Sequence, residues 1–262
     1  MITRHRRTLA GAIVVLSLVT AACSDDDDGE DAAATTTTEA EAEPVELDDD
    51  WCVAWGQVDE YLDSDDATAE GVQAHFDAFA EVAPEGAAQG AQQLAPAVVD
   101  AFEGGDFLAM ASSPEFDEGF EAVDAALLDE CGFADLSVTA AEYEYTGVPG
   151  TLTAGEYLLD LQNDGNELHE AILHRLADDE SRPMEDVLAE LDDAEEIGES
   201  FAVPTRSGYS SAVTLEPGRY VVACFIPVGL TPEVAEASEE GGPEPDGDPH
   251  YTQGMYAEIT VE

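Results

Sequence analysis

Near residue 134 the spacing of apolar side chains changes from a helical period to an extended one, and this break divides the chain into two folding regimes. Before it, Trp51, Trp55, Val58 and Leu62 share one helical face. So do Val72, Phe76 and Phe79, then Leu94, Val98 and Phe102, then Phe116, Phe120, Val123 and Leu127. Ser113 before Pro114 is a capping residue followed by proline at the first helical position. Pro96 should end or kink the third helix, and Gly104-Gly105 and Cys131-Gly132 mark stops. Residues 50–133 are therefore expected to form an all-α domain, an antiparallel bundle of about four helices. Its aromatic stripes read as core. His75, with no ligand-type residue one turn on, reads as a structural or surface histidine.

Beyond the break the pattern has period two. Leu136–Thr139, Tyr143–Tyr145, Gly155–Leu161, His169–Leu176 and Met255–Val261 are predicted strands, and Gly147-Val-Pro-Gly150 a turn. Ser210–Leu215 and Arg219–Cys224, joined by Glu216-Pro-Gly218, are expected to pair as a hairpin. Met184, Val187, Leu188 and Leu191 mark a short amphipathic helix inserted between strands. Residues 135–262 thus form a second, all-β domain. The stretch from Thr231 to Asp248 is rich in Glu, Gly and Pro, and is expected to be only loosely ordered.

Charge limits the partners. The chain has no Lys, and Arg4, Arg6 and Arg7 are three of its seven Arg, while all 61 acidic residues follow that segment. Such a field repels nucleic acid, which is excluded as a partner, and favours cations or a basic protein. It suits a well-solvated exported surface, and equally solubility in high salt. Residues 1–22 have a basic start, a short apolar run from Leu9 to Val19 and the small residues Thr20-Ala-Ala before Cys23. That run is too short to span a bilayer. The arrangement resembles the lipobox of bacterial lipoproteins, which implies a signal peptide over 1–22, a diacylated Cys23 (palmitate-type chains) and attachment to the outer face of the cell membrane. Residues 23–49, with their Asp, Thr and Glu/Ala runs, are expected to be a disordered acidic tether.

The region from Tyr220 to Met255 carries the chemistry. An apolar run closes on Cys224, and His250-Tyr-Thr-Gln-Gly-Met255 follows with an H-x4-M spacing, while Asn163-Asp-Gly-Asn-Glu-Leu-His169 places another histidine at the start of a strand. Two imidazoles, a thiolate and a thioether form the donor set of a type 1 copper centre, in which soft sulfur suits Cu(I) and imidazole suits both oxidation states. On these residues the segment 135–262 resembles the cupredoxins, the plastocyanin-like family. The resemblance implies a Greek-key β-sandwich binding one copper through His169, Cys224, His250 and Met255. It also implies that Asn163 hydrogen-bonds across the ligand loops. Glu170, beside His169, is either a supporting group or a solvated side chain. His174 lies five residues from His169 and points to the other face of a regular strand. Small cupredoxins separate the cysteine and the second histidine by a few residues. Here Phe225–Pro249 intervenes, and it could hold His250 away from the metal.

With Cys23 taken by lipid, three cysteines remain. Cys52 and Cys131 bracket the helical domain, so in an oxidising compartment a bridge between them would staple it and contribute about 4 kcal/mol. Cys224 is then unpaired, explained by copper or by burial as a small apolar residue. No Ser/His/Asp constellation, phosphate loop or HExxH motif is present, so an enzyme is not expected. The functional expectation is a membrane-tethered, extracytoplasmic single-electron carrier with a basic redox protein as partner. A copper-delivery module and a metal-free interaction or structural lipoprotein are the alternatives. Cys23→Ala should release the protein from membranes or leave the precursor uncut, and phase partitioning with N-terminal mass analysis reads the outcome.

Overall fold

The computed structural model of the protein describes residues 45–191, 196–239, 241–243 and 245–262. The expected signal peptide, Cys23 and most of the tether lie outside the described residues. Five helices come first: α1 (Trp51–Leu62), α2 (Ala69–Val82), α3 (Glu85–Gly104), α4 (Phe107–Ala111) and α5 (Pro114–Glu130). Each of four starts on a side chain that accepts a first-turn N–H: Asp50 from Cys52, Thr68 from Gly71, Asp106 from Ala109 and Ser113 from Phe116. Such caps contribute about 1 kcal/mol apiece. The expected stripes converge on one core, where the Trp55 ring lies 5.1 Å from Phe79 and 6.1 Å from Phe120. The helices α3 and α5 cross at two glycines, and a Cβ on Gly90 would sit 2.7 Å from the Gly119 carbonyl oxygen. A disulfide joins Cys52 at the start of α1 to Cys131 just after α5.

Pro96 does not end the third helix, which runs through it. The residue is exposed, so the carbonyl that loses its N–H partner is on the solvent side and water can serve it. The fifth, short helix α4 exceeds the expected count of about four. It is an added turn whose Leu108 and Ala111 pack into the sandwich core rather than the bundle.

The C-terminal half is a two-sheet sandwich. One sheet has the order β2 (Glu144–Thr146), β1 (Ala134–Ala141), β4 (Gly155–Asn163), β7 (Ser211–Leu215). The other runs β3 (Thr151–Leu152), β9 (Tyr256–Val261), β8 (Gly218–Ala223), β5 (His169–Leu176), β6 (Gly198–Ala202). The expected hairpin is therefore not formed: β7 pairs with β4, while β8 pairs with β5 and β9 in the opposite sheet. The Glu216-Pro217 link is a corner between sheets. Tyr220 holds it by donating its hydroxyl to the Glu216 carbonyl at 3.0 Å and accepting the Glu216 N–H at 3.1 Å. Crossing over lets Val213 and Leu215 meet Tyr220 and Val222 in one interior, which a hairpin would leave on a single sheet.

Both sheets are covered on their outer faces as well. Leu158, Tyr209 and Ala212 pack into the helical core, Arg206 pairs with Asp117, and Ser210 donates to Asp124. On the opposite sheet α6 (Met184–Leu191) lays Val187 and Leu188 over Val221 and Ala223. The segment expected to be loose contains another helix, α7 (Pro232–Glu239).

The seam between helices and sandwich encloses two carboxyls. Burial raises Asp124 to about 7, which Ser210 opposes and Asp160 reinforces. Burial raises Asp160 to about 6, with Asp135 adding to it. A folded-state value above the unfolded one means that the folded protein holds extra protons. This contribution to stability is complete below about pH 4 and is lost as pH rises through 6 to 7. Asp124→Asn keeps an acceptor for Ser210 without the charge. It should stabilise the protein at pH 8 by roughly 1–3 kcal/mol, with the gain shrinking toward pH 4, as read by denaturant titration across that range.

Candidate metal centre

Antiparallel pairing brings the donors together. The strand β5 begins at His169 where β8 ends and β9 begins, with Ile172 opposite Ala223 and Ala223 opposite Tyr256. The side chains of His169, Cys224 and Met255 therefore fall at one end of the sandwich, and all three are fully buried. The Cys224 N–H donates to the Met255 carbonyl at 3.2 Å.

His250 arrives by a different route. The segment after Cys224 leaves the sandwich and returns through a backbone bridge between Pro227 and Pro249. The Val228 N–H donates to the Asp248 carbonyl at 3.0 Å, the His250 N–H to Ile226 at 2.9 Å, and the Tyr251 N–H to Cys224 at 2.9 Å. The excursion is thus pinched off at its base. His250, on a 3-10 turn spanning His250–Gln253, is thereby brought against Cys224. The intervening residues do not hold the imidazole away.

The result is a compact donor cluster. His169 Nδ1 lies 3.2 Å from His250 Nδ1, and Cys224 Sγ lies 3.2 Å from the same His250 atom. One donor atom from each of the three residues falls within 4.8 Å of the others. Burial lowers His169 to about 4, and the neighbouring His250 adds to the effect. Burial also lowers His250, against an opposing pull from Glu167. Both rings are accordingly neutral at pH 7, the form that ligates. The Cys224 thiol is pushed well up by burial and by the Glu170 carboxylate, so a metal must displace its proton.

Supporting groups surround the donors. The expected role of Asn163 takes a definite form: its Nδ2 donates to the carbonyls of Glu167 and Ala202 at 2.8 and 2.9 Å, and its Oδ1 accepts from the Gly165 N–H. Glu170 is a supporting group, accepting the Phe225 N–H at 2.8 Å next to Cys224. Gly165 lets the turn close on His169, since a Cβ there would be 2.9 Å from His169 Nε2. His174 stays outside the cluster, buried on the other face of β5 with its ring against Phe225. His75 stacks on Tyr61 in the helical domain, with ring centroids 3.8 Å apart.

Three residues at the site were not singled out from the sequence. Glu167 Oε2 lies 3.0 Å from His250 Nε2. The Tyr143 ring lies tilted against His250 with centroids 4.8 Å apart, and the Tyr145 hydroxyl reaches both the Glu170 carbonyl and Cys224. In so acidic a chain no single glutamate stands out, and the tyrosines read as ordinary strand residues. The nearness of Glu167 to His169 in sequence was the one available hint.

The buried His169, Cys224 and His250 have the composition of a type 1 copper site, and Met255 completes the expected donor set. No family model matches the chain, and no curated protein does. Solved structures do. A dithionite-reduced auracyanin from Roseiflexus castenholzii aligns with 49% of this chain and 96% of its own, at 18% identity and a TM-score of 0.33. Auracyanin A, a "blue" copper protein from Chloroflexus aurantiacus, covers 49% of this chain and 100% of its own, at 15% identity and a TM-score of 0.32. A blue copper oxidase from Nitrosomonas europaea aligns over 51% of this chain and 45% of its own, at 15% identity and a TM-score of 0.28.

A neutral buried imidazole whose folded value lies below the unfolded one supports folding above about pH 6.5, and that support is lost as pH falls through about 4. In nitrogen-15 spectra of the metal-free protein, His169 should remain neutral down to about pH 4. A ring titrating near 6.5 would contradict this burial.

Proposed function

We propose that this chain is a type 1 copper protein that carries single electrons outside the cell membrane, held there by lipid on Cys23. The observation that carries the copper assignment is the convergence of His169 Nδ1, His250 Nδ1 and Cys224 Sγ in a fully buried cluster. Without a metal, two imidazole nitrogens and a thiol crowd together with only their own protons between them. A single cation with affinity for nitrogen and soft sulfur satisfies all three. Met255 is the weak axial ligand in this reading. Bound copper supplies a one-electron couple, and a trigonal set with a long axial thioether changes charge with little rearrangement.

The depth of the site bears on the alternatives. Rapid hand-over of copper to an acceptor protein needs a reachable ligand, whereas here all four donors are shielded from solvent. Four protein ligands leave no open position for a substrate oxygen, which favours a carrier over an oxidase. A metal-free structural role would give no reason to bury two histidines against a thiol. The helical domain, docked on the sheet farther from His169 and Cys224, braces the sandwich and spaces it from the tether. With four Arg against a large acidic excess beyond residue 22, the surface suits a basic redox partner.

Copper(II) added to the reduced, soluble part should give an intense visible thiolate-to-metal band and a narrow hyperfine splitting in spin resonance. Cys224→Ser should abolish the band, because an alcohol oxygen cannot replace the soft thiolate. Met255→Leu should keep copper and raise the reduction potential, since an apolar axial neighbour disfavours Cu(II). A protein with intact free Cys224 that takes up no copper would overturn the assignment.

A further inference from the structure

Glu167 makes a set of contacts that a solvated surface glutamate does not make. Its Oε1 accepts from the Tyr143 hydroxyl at 3.0 Å, and its Oε2 accepts from the Gly229 N–H at 2.7 Å. The same Oε2 lies 3.0 Å from His250 Nε2, and the carboxylate is mostly buried, with its side chain 15% exposed. The three partners come from the turn before β2, from the excursion after Cys224, and from the 3-10 turn. One side chain therefore ties together the three pieces of backbone that close the site.

The chemistry of those partners fixes a proton. A carboxylate is acceptor-only, so the His250 nitrogen facing it must carry the ring's hydrogen. The other nitrogen, Nδ1, then presents a lone pair, and it is this atom that lies 3.2 Å from both Cys224 Sγ and His169 Nδ1. His169 has no equivalent partner: among the described residues its buried Nε2 makes no hydrogen bond. Of the two imidazoles, only His250 is oriented by a charge.

We propose that Glu167 is the positioning residue of the metal centre, locking His250 in its Nε2–H tautomer and biasing bound copper toward the oxidised state. The second half rests on the copper reading above. The first half does not. An anion hydrogen-bonded to the far side of a ligating imidazole makes the ring a stronger donor, and a stronger donor favours Cu(II) over Cu(I). The same contact leaves the His250 edge covered by Glu167 and Gly229 rather than open to solvent.

Two variants separate geometry from charge. Glu167→Gln retains an acceptor of the same shape without the charge, and Glu167→Ala removes both. In nitrogen-15 spectra of the metal-free protein, His250 should be the Nε2–H tautomer in wild type and a mixture in Glu167→Ala. Copper-loaded Glu167→Gln should keep its visible band, and its reduction potential should rise by ~59 mV for every tenfold loss in Cu(II) binding relative to Cu(I). Glu167→Ala should also lose about 10–100-fold in copper affinity. A Nδ1–H tautomer in wild type overturns the proposal whether or not copper binds. Blue, copper-loaded variants with wild-type potential overturn the bias alone and leave the copper assignment intact. Wild-type protein that takes up no copper while showing the Nε2–H tautomer sinks the copper reading and the bias with it, but not the lock. If Glu167→Ala fails to fold, the tautomer in wild type and the potential of Glu167→Gln still decide.

Discussion

The candidate metal-binding end of this protein depends on a backbone closure, the pinch between Pro227 and Pro249. Without it the residues between Cys224 and His250 would form an ordinary long loop, and the entropy of that loop would oppose bringing the imidazole home. The hydrogen bonds from Val228 to Asp248, from His250 to Ile226 and from Tyr251 to Cys224 close the base of the excursion. Its length then no longer matters to the site. The excursion in turn packs back: Leu168 N–H donates to the Leu230 carbonyl, and Gly229 N–H to Glu167. An insertion that looks like a threat to the ligand set thereby becomes its cover.

Double coverage of the sandwich has a similar consequence. A free β-sandwich shows clean alternation because one face of each sheet is wet. Here the helical domain shields one outer face and α6 the other, so β4 and β8 are buried along most of their length on both sides. That is why Leu158 and Val221 are apolar at positions where alternation calls for polar residues. The cost falls on the polar groups caught in the seam. Asp124 and Asp160 are held there with their carboxyl values raised by burial, and the hydrogen bonds from Ser210 to Asp124 and from the Leu161 backbone to Asp160 offset part of that penalty.

Much of the chain was legible in advance because its signals are local. Helical stripes, the Ser113-Pro114 start and the glycine stops depend on neighbours a few residues away, and the helices form where those patterns fall. The candidate donors stood out for a chemical reason: two histidines, an unpaired cysteine and a methionine are the donor set of a type 1 copper centre. Where local reading failed, a distant contact decided. Pro96 lies within a helix because the Gln92 carbonyl that it leaves unpaired is on the exposed side, where water can serve it. Ser210–Leu215 and Arg219–Cys224 join different sheets because Tyr220 turns the corner and the interior between the sheets is filled from both sides.

By itself the sequence determined the two folding regimes, the four candidate donors and a strongly acidic net charge, since periodicity, donor chemistry and charge are properties of residues alone. Only the tertiary structure decided that His250 reaches Cys224, that Glu167 rather than a neighbour holds its far nitrogen, and that both sheet faces are buried. Each of these depends on segments dozens of residues apart meeting in space. Hydrogen-bond geometry and burial are relations between residues, and no period or spacing along the chain encodes them.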